Sequence, residues 1–386
     1  MMSSVPSAKK MYPYYEVLSG WDCNLRCSYC FVRHKLPLVN DAQNIASYLT
    51  AMYERDAKQA FYHNPYAPRI GFIGGEPLLH PDLIDYAMTF AHGLNEQYGL
   101  VEGIRCTIAT NGTLIAESRP VRELLQKWKD SVHVIFSIDG TKTAHDMFRV
   151  DESGNGSWER ALEGYRVARE IIGNDACRAK MTPCRATAPY LSEGAITLFE
   201  AGFDKIQCNG VLEEQWDESE ADYVYSLYLP VMDYLLKNRL WDVKTFYPLD
   251  RLRSWMHLLN QNTTCSCFKM GMNCLGVNGT VFGCHRMAVS DSPHPYGHIE
   301  NGVFVVDDDT LPQKALNAWK SRPAKCLECE IGYHCFNCVS SMFDCDFDDL
   351  TAYHKRYSQC GWTKGTFRAR MEYKDRISQL ETPQDS

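Results

Sequence analysis

The sequence from Cys23 to Cys30 is CNLRCSYC, and it directly follows Tyr15 to Leu18, a short apolar run with the composition of a β-strand. The three cysteines have C-x3-C-x2-C spacing, which places them on one loop after that strand. Three thiolates can hold three irons of a 4Fe-4S cube and leave the fourth iron without a protein ligand. A zinc site or a ferredoxin-type cluster is the alternative, and it would need a fourth ligand such as His34.

The sequence around this motif alternates short β-rich runs with longer segments of helical periodicity, from about residue 15 to residue 240. This pattern is typical of repeated βα units around a parallel sheet. Six units predict an α/β fold with a partial (β/α)6 TIM-like barrel, and barrel active sites lie where the strands end. We predict strands at residues 15–18, 70–73, 103–109, 133–138, 178–183 and 205–208, helices that begin near Asp41, Asp82, Ile115, Ser157 and Ser192, and a long helical stretch from about Glu220 to Arg239.

The periodicity also divides the chain into parts. We predict the barrel for residues 1–240 and a bridging segment for residues 241–261. Residues 262–366 lose the βα rhythm and are rich in Cys and Gly, so we expect a small second domain whose core is organised by metal. Residues 367–386 are predicted to form a C-terminal tail that is frayed from Lys374 onward.

Charge and cysteine content limit the functional classes. The 386 residues carry a formal net charge of -8 without a long basic run, so we expect a peptide or small-molecule substrate and no nucleic acid. No apolar signal-peptide region precedes Cys23, and no segment approaches the roughly 20 apolar residues that span a bilayer, so we expect a cytoplasmic protein without membrane contact. Because the cytosol keeps thiols reduced, the 17 cysteines are expected to be mainly metal ligands.

The positions of the cysteines support this interpretation. Three lie in the first motif and ten lie between residues 265 and 360. The remaining four lie in or beside predicted strands, and we expect them to be buried as apolar packing groups: Cys106, Cys177, Cys184 and Cys208.

Four further motifs follow the predicted strands in order. GGEP (74–77) follows the second strand, TNGTLI (110–115) the third and FSIDG (136–140) the fourth, and HDMFR (145–149) comes soon after. Together with the triple Cys, these motifs resemble the radical S-adenosylmethionine (SAM) superfamily over roughly residues 15–210. The resemblance implies an enzyme in which one 4Fe-4S cluster binds SAM through its open iron. An electron from the cluster then breaks a carbon–sulfur bond and gives a 5'-deoxyadenosyl radical.

The resemblance also implies which residues form the cluster and SAM site. The ligands of this cluster would be Cys23, Cys27 and Cys30. The GGEP residues would lie at the methionine ammonium of SAM, where glycines let backbone carbonyls approach closely. These residues are Gly74, Gly75, Glu76 and Pro77.

Three other SAM contacts are implied in the same way. Ser137 would hydrogen-bond the ribose or carboxylate, and Tyr29 would present its backbone to the adenine. Arg149 would pair with the carboxylate, which its planar fork can bind at both oxygens. A strand-end Ser and a surface Arg are the alternatives, and Asn111 is expected to stabilise a turn rather than touch the cofactor.

The C-terminal cysteines have a second pattern. In CSCFKMGMNCLGVNGTVFGC (265–284), Cys267, Gly279 and Cys284 have C-x11-G-x4-C spacing, and CLECEIGYHCFNC (326–338) follows. This resembles the iron-sulfur SPASM domain, C-x(9-15)-G-x4-C then C-x2-C-x5-C-x3-C then a last Cys, which binds two auxiliary 4Fe-4S clusters. One departure is that two residues rather than three separate Cys335 from Cys338.

The resemblance gives each auxiliary cluster a ligand set. The nearer cluster would use Cys267, Cys274, Cys284 and Cys338, with Cys265 as an alternative. The farther one would use Cys326, Cys329, Cys335 and Cys360, with Cys345 as an alternative. A zinc ribbon is the other interpretation, since paired C-x2-C motifs also hold zinc.

The residue after Cys284 bears on the reaction. Anaerobic sulfatase-maturating enzymes share this architecture but carry a catalytic Asp where this chain has His285. Since His can also accept a proton near neutral pH, His285 is the candidate catalytic residue. The alternative is that His285 and Arg286 only support a cluster. GCHRM and YGHI (296–299) also resemble signatures of SPASM enzymes that modify ribosomally made peptides.

The resemblance therefore favours a radical SAM/SPASM peptide maturase, which abstracts hydrogen from a precursor peptide and installs a crosslink or related modification. A formylglycine-forming sulfatase maturase and a radical SAM dehydrogenase of a small metabolite are the alternatives. Expected partners are the precursor peptide, an external flavodoxin- or ferredoxin-type electron donor and a separate leader-binding protein, because little chain precedes Cys23. The acidic stretch Glu213 to Asp222 is expected to be a solvated loop and helix N-terminus, with contact to a basic peptide as the alternative.

Overall fold

The short apolar runs of the first half of the chain form strands that pair in parallel. The computed structural model describes residues 13–32, 35–58, 68–100, 103–250, 274–289, 294–320, 323–332, 335, 338 and 358–381. Each of the first six strands pairs with the next, so their carboxyl ends meet at one edge. All six predicted strands are confirmed, and every boundary is within two residues of the prediction. These strands are β1 (Tyr14–Leu18), β2 (Arg69–Ile73), β3 (Arg105–Thr110), β4 (Val132–Ser137), β5 (Cys177–Met181) and β6 (Lys205–Cys208).

Helices connect successive strands and cover one side of the sheet. On α2, Ile84, Met88 and Ala91 recur at the spacing of one helical face, and all three are buried. The five predicted helix starts are confirmed within two residues. The helices of this part are α1 (Ala42–Lys58), α2 (Pro81–Gln97), α3 (Thr113–Glu117), α4 (Arg119–Lys127), α5 (Lys142–Asp146), α6 (Trp158–Ile172) and α7 (Leu191–Glu200).

The two faces of the sheet differ in chemistry. On β4 the buried Val132, Val134 and Phe136 alternate with side chains that are not fully buried, and the Phe136 ring contacts Tyr165 of α6. The other face, called the inner face below, carries polar residues that include Glu16 of β1 and Lys180 of β5. These two groups interact electrostatically, although a flat sheet would separate their strands by about 19 Å. The sheet therefore curves into the predicted partial barrel.

After β6 the helical stretch predicted from about Glu220 to Arg239 is present, and it is divided into two helices. Two shorter helices, α8 (Ala221–Ser226) and α9 (Leu229–Lys237), occupy the region. The break precedes Pro230, which lies in the first turn of α9, where its missing N–H is tolerated. Strand β7 (Thr245–Phe246) then pairs in parallel with β6, and α10 (Tyr247–Asp250) follows.

The second half of the chain extends the same sheet. Strand β8 (Cys274–Leu275) pairs in parallel with β1, and the next three strands add to it antiparallel, giving the order β11-β10-β9-β8-β1-β2-β3-β4-β5-β6-β7. The Cys-rich part is thus joined to the barrel through backbone hydrogen bonds. Its other elements are β9 (Thr280–Phe282), α11 (His285–Ala288), β10 (Gly297–Glu300), β11 (Val303–Val306), α12 (Leu311–Lys320) and α13 (Ala324–Leu327).

The last described element is a long helix, α14 (Cys360–Glu381), so the prediction of a frayed segment from Lys374 is wrong up to Glu381. Buried side chains of Trp362 and Tyr373 anchor this helix on the core. Gly365 permits the close approach, because a Cβ there would lie 2.6 Å from the carbonyl oxygen of Ala221. The predicted boundary between residues 366 and 367 falls inside the helix. The other predicted domain limits stay predictions, and residues 251–261 of the bridge lie outside the described residues.

The acidic stretch Glu213 to Asp222 has partners inside the chain. A capping box between Asp217 and Glu220 starts the predicted helix N-terminus. The stretch is mostly exposed, as predicted, and its carboxylates also form ion pairs with distant segments. The pairs are Glu213 with Arg286, Glu218 with Lys364, Glu220 with Arg185 and Asp222 with Arg368.

The four cysteines between the two Cys-rich motifs are buried in or beside strands, as predicted, with exposed fractions of 1 to 6%. They are Cys106, Cys177, Cys184 and Cys208. In the described part of the chain, every helix is too short or too polar to cross a bilayer.

Candidate functional site

The loop of the first Cys motif lies between β1 and α1, at the carboxyl edge of the parallel strands. Its cysteines, Cys23, Cys27 and Cys30, are all partly buried and free of disulfides. Burial raises the pKa of the Cys23 thiol to about 12, so a thiolate there needs a compensating positive charge such as iron. The ammonium of Lys35 lies 2.9 Å from the Cys30 sulfur. His34, the alternative fourth ligand, lies outside the described residues.

The GGEP turn after β2 packs directly on the start of this loop. The amides of Gly75 and Glu76 donate to the carbonyls of Gly20 and Asp22, each at 2.9 Å. Gly74 has a φ of 140°, and a Cβ on Gly75 would lie 1.9 Å from the Asp22 carbonyl oxygen. The two glycines are therefore required by the contact between the two loops, independently of any cofactor.

Glu76 is buried below this turn and fixes the next strand end. Its carboxylate accepts hydrogen bonds from the Thr110 hydroxyl (2.6 Å) and from the amides of Asn111 (2.7 Å) and Leu78 (3.0 Å). Burial nevertheless raises the pKa of Glu76 above its ordinary value. Pro77 begins a short 3-10 turn and is also buried. Glu76 thus joins the ends of β2 and β3.

Asn111 links the end of β3 to the Cys loop. Its side-chain amide donates to Asn24 at 2.7 Å, and its oxygen accepts from the amide and hydroxyl of Thr113. Asn24 donates in turn to the Thr113 hydroxyl at 2.9 Å. Asn111 therefore stabilises a turn, as the sequence predicted, and it also positions the loop between Cys23 and Cys27.

Asp139 lies two residues beyond the end of β4 and contacts three groups near the loop. Its carboxylate accepts hydrogen bonds from Arg149 (2.7 Å), from the Tyr29 hydroxyl and from the Thr182 amide (2.7 Å). The Arg149 guanidinium also lies over the Tyr29 ring, 5.2 Å from its centroid. Burial would raise the pKa of Asp139, but Arg149 and His145 hold it below its ordinary value. Asp139 thus ties β4 and β5 to the Cys loop.

These contacts bear on the predicted SAM residues. Arg149 is buried and has a carboxylate partner within the chain, so it is not the free surface Arg of the alternative interpretation. The Tyr29 side chain is held by Asp139 and Arg149, which fixes the backbone that was predicted to face adenine. Ser137 is partly buried at the end of β4 and opposite Lys180 on β5. The SAM contacts of all three residues stay predictions.

His285 lies on the inner face, next to β1. Its Nδ1 and its backbone amide both contact the Glu16 carboxylate, at 3.0 and 3.2 Å. Burial opposes charge on both groups, yet their attraction lowers the pKa of Glu16 and raises that of His285. The Phe31 ring, from the Cys loop, lies 5.5 Å from the His285 ring. The predicted catalytic residue is thus held at the barrel, with Nδ1 occupied by Glu16.

The nearer auxiliary ligand set is partly brought together. Cys274 and Cys284 are buried in one small apolar cluster, and the thiols interact electrostatically. The thiols of Cys338 and Cys284 both raise the pKa of Arg286, so both lie near its guanidinium. Cys267 and the alternative Cys265 lie outside the described residues. The assignment stays a prediction for all four ligands.

The farther set gathers at the start of α14. Lys364 interacts electrostatically with Cys329 and Cys360, and the Cys335 sulfur lies 4.0 Å from the Thr363 hydroxyl. A Cβ on Gly332 would lie within 3.0 Å of the carbonyl oxygens of both Cys326 and Cys329, so this turn is tight. The alternative ligand Cys345 lies outside the described residues.

Separate Cys329→Ser and Cys335→Ser variants are expected to lose about four of about twelve irons per chain, because each removes a ligand of the farther cube. Iron analysis of the anaerobically reconstituted protein measures this. Cys184→Ser is the matched control, since Cys184 is buried and has no assigned metal. Unchanged iron in both variants would show that the farther ligand set is wrong.

Two structural observations support the fit of the Cys loop to a 4Fe-4S cluster beside SAM. Three thiols share one partly buried loop, and a cation at Cys30 matches an anionic cluster. The loop backbone is also held rigidly by the GGEP turn and by Asn111. Within the described ranges, no group of three or more His, Cys, Asp or Glu side chains is arranged around a single metal ion. In a cube each thiolate binds a different iron, so such convergence is not required.

Three polar residues near the site were not predicted from the sequence. Asp139 is inside the FSIDG motif, directly beyond a strand end, and this position could have singled it out. Glu16 interrupts the apolar run YYEVL, and Lys180 interrupts CRAKM. A charged residue inside a buried strand is a usable signal, because burying it needs a partner or a function.

The chain is similar in sequence to known proteins over part of its length. Residues 20–180 match the family model of the radical SAM superfamily. A cysteine-type anaerobic sulfatase-maturating enzyme of Clostridium novyi is 27% identical over 147 residues, which is 38% of this chain and 37% of that protein. The chain thus matches only about a third of the length of curated relatives such as this one and the Fe-coproporphyrin III synthase of Methanosarcina barkeri, of which it covers 32%.

Solved structures share the fold over a much greater length. The structure of anSMEcpe with bound AdoMet and Cp18Cys peptide superposes with a TM-score of 0.70 over 95% of this chain and 98% of that chain, at 19% identity. SuiB of Streptococcus suis bound to precursor peptide SuiA gives 0.52 over 86% and 73%, at 15% identity. The predicted fold class is confirmed. The radical SAM resemblance of the sequence is thus matched by the family model over residues 20–180, and the same fold is found in solved structures over most of the chain.

Proposed function

We propose that this chain is a radical SAM enzyme that modifies a peptide made by the ribosome. The observation that carries the proposal is the contact between two loops at the barrel edge, where the triple-Cys loop packs on the GGEP turn through backbone hydrogen bonds. A cluster bound there by Cys23, Cys27 and Cys30 would supply the electron that cleaves SAM and so start abstraction of hydrogen from the substrate. Two auxiliary 4Fe-4S clusters in the C-terminal part complete the proposed cofactor set.

The residues of the chain would hold and orient the reactants. The Gly20 and Asp22 carbonyls and the buried Glu76 carboxylate fix the turn that borders SAM. Asp139 keeps Arg149 and Tyr29 in one orientation, which would avoid a reorganisation of the site when SAM binds. Ser137 is placed on the inner face, from which its hydroxyl can reach a ligand inside the barrel.

His285 is the proposed proton acceptor for the substrate radical or its precursor. Glu16 contacts Nδ1, so Nε2 is the ring nitrogen left for the substrate. Arg286 is held by Glu213 and lies over the Phe31 ring at 5.5 Å, and together these groups form one wall of the barrel. The site is thus built from both halves of the chain.

A peptide is the preferred substrate on two grounds. The net charge of -8 without a long basic run disfavours a nucleic-acid substrate. The solved structures with the same fold contain a Cp18Cys peptide and the precursor peptide SuiA. The proposed partners are therefore the precursor peptide, a flavodoxin- or ferredoxin-type reductant and a leader-binding protein, all in the cytoplasm.

Sulfatase maturation is the second candidate, and the named relative from Clostridium novyi supports it. In that reaction a Cys or Ser of a sulfatase is oxidised to formylglycine. Sulfatase-maturating enzymes have a catalytic Asp at the position of His285. A small-metabolite dehydrogenase is the third candidate.

The test is SAM cleavage in the anaerobically reconstituted protein with dithionite. We expect 5'-deoxyadenosine to be released, and its release to rise when the correct short peptide from a neighbouring reading frame is added. Mass spectrometry should then show loss of hydrogens from that peptide. Absence of 5'-deoxyadenosine under these conditions contradicts the enzyme proposal. Conversion of a sulfatase-derived peptide, with none of the precursor peptide, selects the second candidate.

A further inference from the structure

The inner face of the barrel carries charged groups, and three of its described carboxylates each contact a cation. These three carboxylates therefore have no unpaired negative charge to offer a second partner. The pairs are Glu16 with His285 at 3.0 Å, Asp139 with Arg149 at 2.7 Å, and Glu213 with Arg286.

Lys180 has no such partner. It lies on β5 between Ala179 and Met181, which are buried in the helix-facing core, so its side chain extends to the inner face. In the parallel register its neighbours are Ser137 on β4 and Gln207 on β6. Over the ranges that the structure describes, the Lys180 ammonium has no hydrogen-bond acceptor and no ion-pair partner.

The surroundings make this unpaired cation unfavourable. Burial and the two guanidinium groups of Arg149 and Arg286 lower the pKa of Lys180. Glu16 and Asp139 attract it, but both already contact another cation at hydrogen-bond distance. A partly buried charge without an acceptor costs free energy, and a bound anion would offset that cost. The position therefore has the chemistry of an anion-binding subsite.

We propose that Lys180 binds a carboxylate on the inner face of the barrel, next to Ser137. The carboxylate comes either from the methionine part of SAM or from the substrate. This inference rests on the proposed function and extends it, because a substrate carboxylate would define the class: a peptide with Asp, Glu or a free C-terminus beside the modified residue. Ser137 and Gln207 would donate to the same group, since they flank Lys180 in the register.

The test measures how fast an amine-acetylating reagent modifies Lys180 in the full-length reconstituted protein without reductant, using mass spectrometry of the digested chain. One pair of probes is N-acetylglutamate amide against N-acetylglutamine amide, and the other is SAM against decarboxylated SAM. We expect one carboxylate probe to slow the labelling about fivefold at about four times its Kd, because about one fifth of the sites then remain free. Lys142 and Lys237 are internal controls, since their side chains are 53% and 78% exposed.

Protection by the glutamate probe alone assigns the carboxylate to the substrate, and protection by SAM alone assigns it to SAM; either result supports the proposal. Equal effects of a probe and its neutral analogue, no protection by any probe, or no labelling of Lys180 in the ligand-free protein would overturn it. Release of 5'-deoxyadenosine is measured separately on the same preparation. A preparation that cleaves SAM but shows no carboxylate-dependent protection rejects this inference and leaves the proposed function standing.

Discussion

The triple variant Cys23→Ala, Cys27→Ala, Cys30→Ala is expected to release no detectable 5'-deoxyadenosine and to lose about four irons per chain. The three thiols are the cysteines on the loop that packs against the GGEP turn, so the SAM-binding cluster would have no protein ligands left. The fold should persist, because none of the three belongs to a described hydrophobic core. Chromatography of the nucleoside, iron analysis and far-UV circular dichroism measure the three outcomes.

The matched control is Cys177→Ala, which removes a buried thiol from β5 that has no assigned metal. This control should retain iron and SAM cleavage, with a small loss of stability from the missing sulfur. SAM cleavage that survives in the triple variant would reject the cluster assignment. The single variant Cys27→Ser provides a milder change on the same loop, and we expect the same loss of activity.

The parallel strands and their helices could be predicted from the sequence because their signals are local. Each strand is a short apolar run, and each helix shows its own periodicity, so the period of the pattern identifies the element. The motifs could be placed at the active edge for the same reason: parallel strands bring their carboxyl ends together. The Cys motif, Gly74 and Glu76 therefore lie where the sequence predicted them.

Contacts between distant segments could not be predicted in this way. Glu16 and His285 are 269 residues apart, and nothing in either neighbourhood specifies the other. The end of helix α14 was mistaken for a tail because eight of the 22 helix residues are charged, and the stability of the helix depends on packing of Trp362 and Tyr373 against the barrel. The partners of the acidic stretch could not be predicted for the same reason, since Lys364 and Arg368 each lie 146 residues from the carboxylate that they contact.

A family resemblance supplies a role for a residue but omits its partner. Arg149 was expected to bind a carboxylate of SAM, and in the structure it binds that of Asp139, ten residues earlier in the chain. The guanidinium has five N–H donors, so one carboxylate does not exhaust it. The Asp139 contact therefore orients Arg149 rather than replacing its expected role. That role depends on Asp139, and this dependence can be measured.

Asp139→Ala is expected to destabilise the protein by about 3–5 kcal/mol, because it leaves the buried Arg149 guanidinium without a counter-charge. The Asp139 and Arg149 side chains are only 4% and 9% exposed, so water cannot replace the lost carboxylate. The same change frees the Tyr29 hydroxyl and the Thr182 amide. Urea unfolding of the variant and of the parent chain gives the difference in free energy. Asp175→Ala is the matched control, because the Asp175 side chain is 98% exposed and its pair with Lys205 should contribute about 1 kcal/mol or less.

A double variant, Asp139→Asn with Arg149→Met, separates the charge effect from the loss of packing. It removes both charges and keeps much of their volume, so it should be more stable than Asp139→Ala alone. SAM affinity is expected to be low in both variants, since neither holds Arg149 and Tyr29 in place beside the Cys loop. If Asp139→Ala unfolds at the same urea concentration as the parent chain, Asp139 is not the group that joins β4 and β5 to that loop. If SAM affinity is also unchanged, the orientation of Arg149 does not matter for the cofactor, and the SAM site must be sought elsewhere on the inner face.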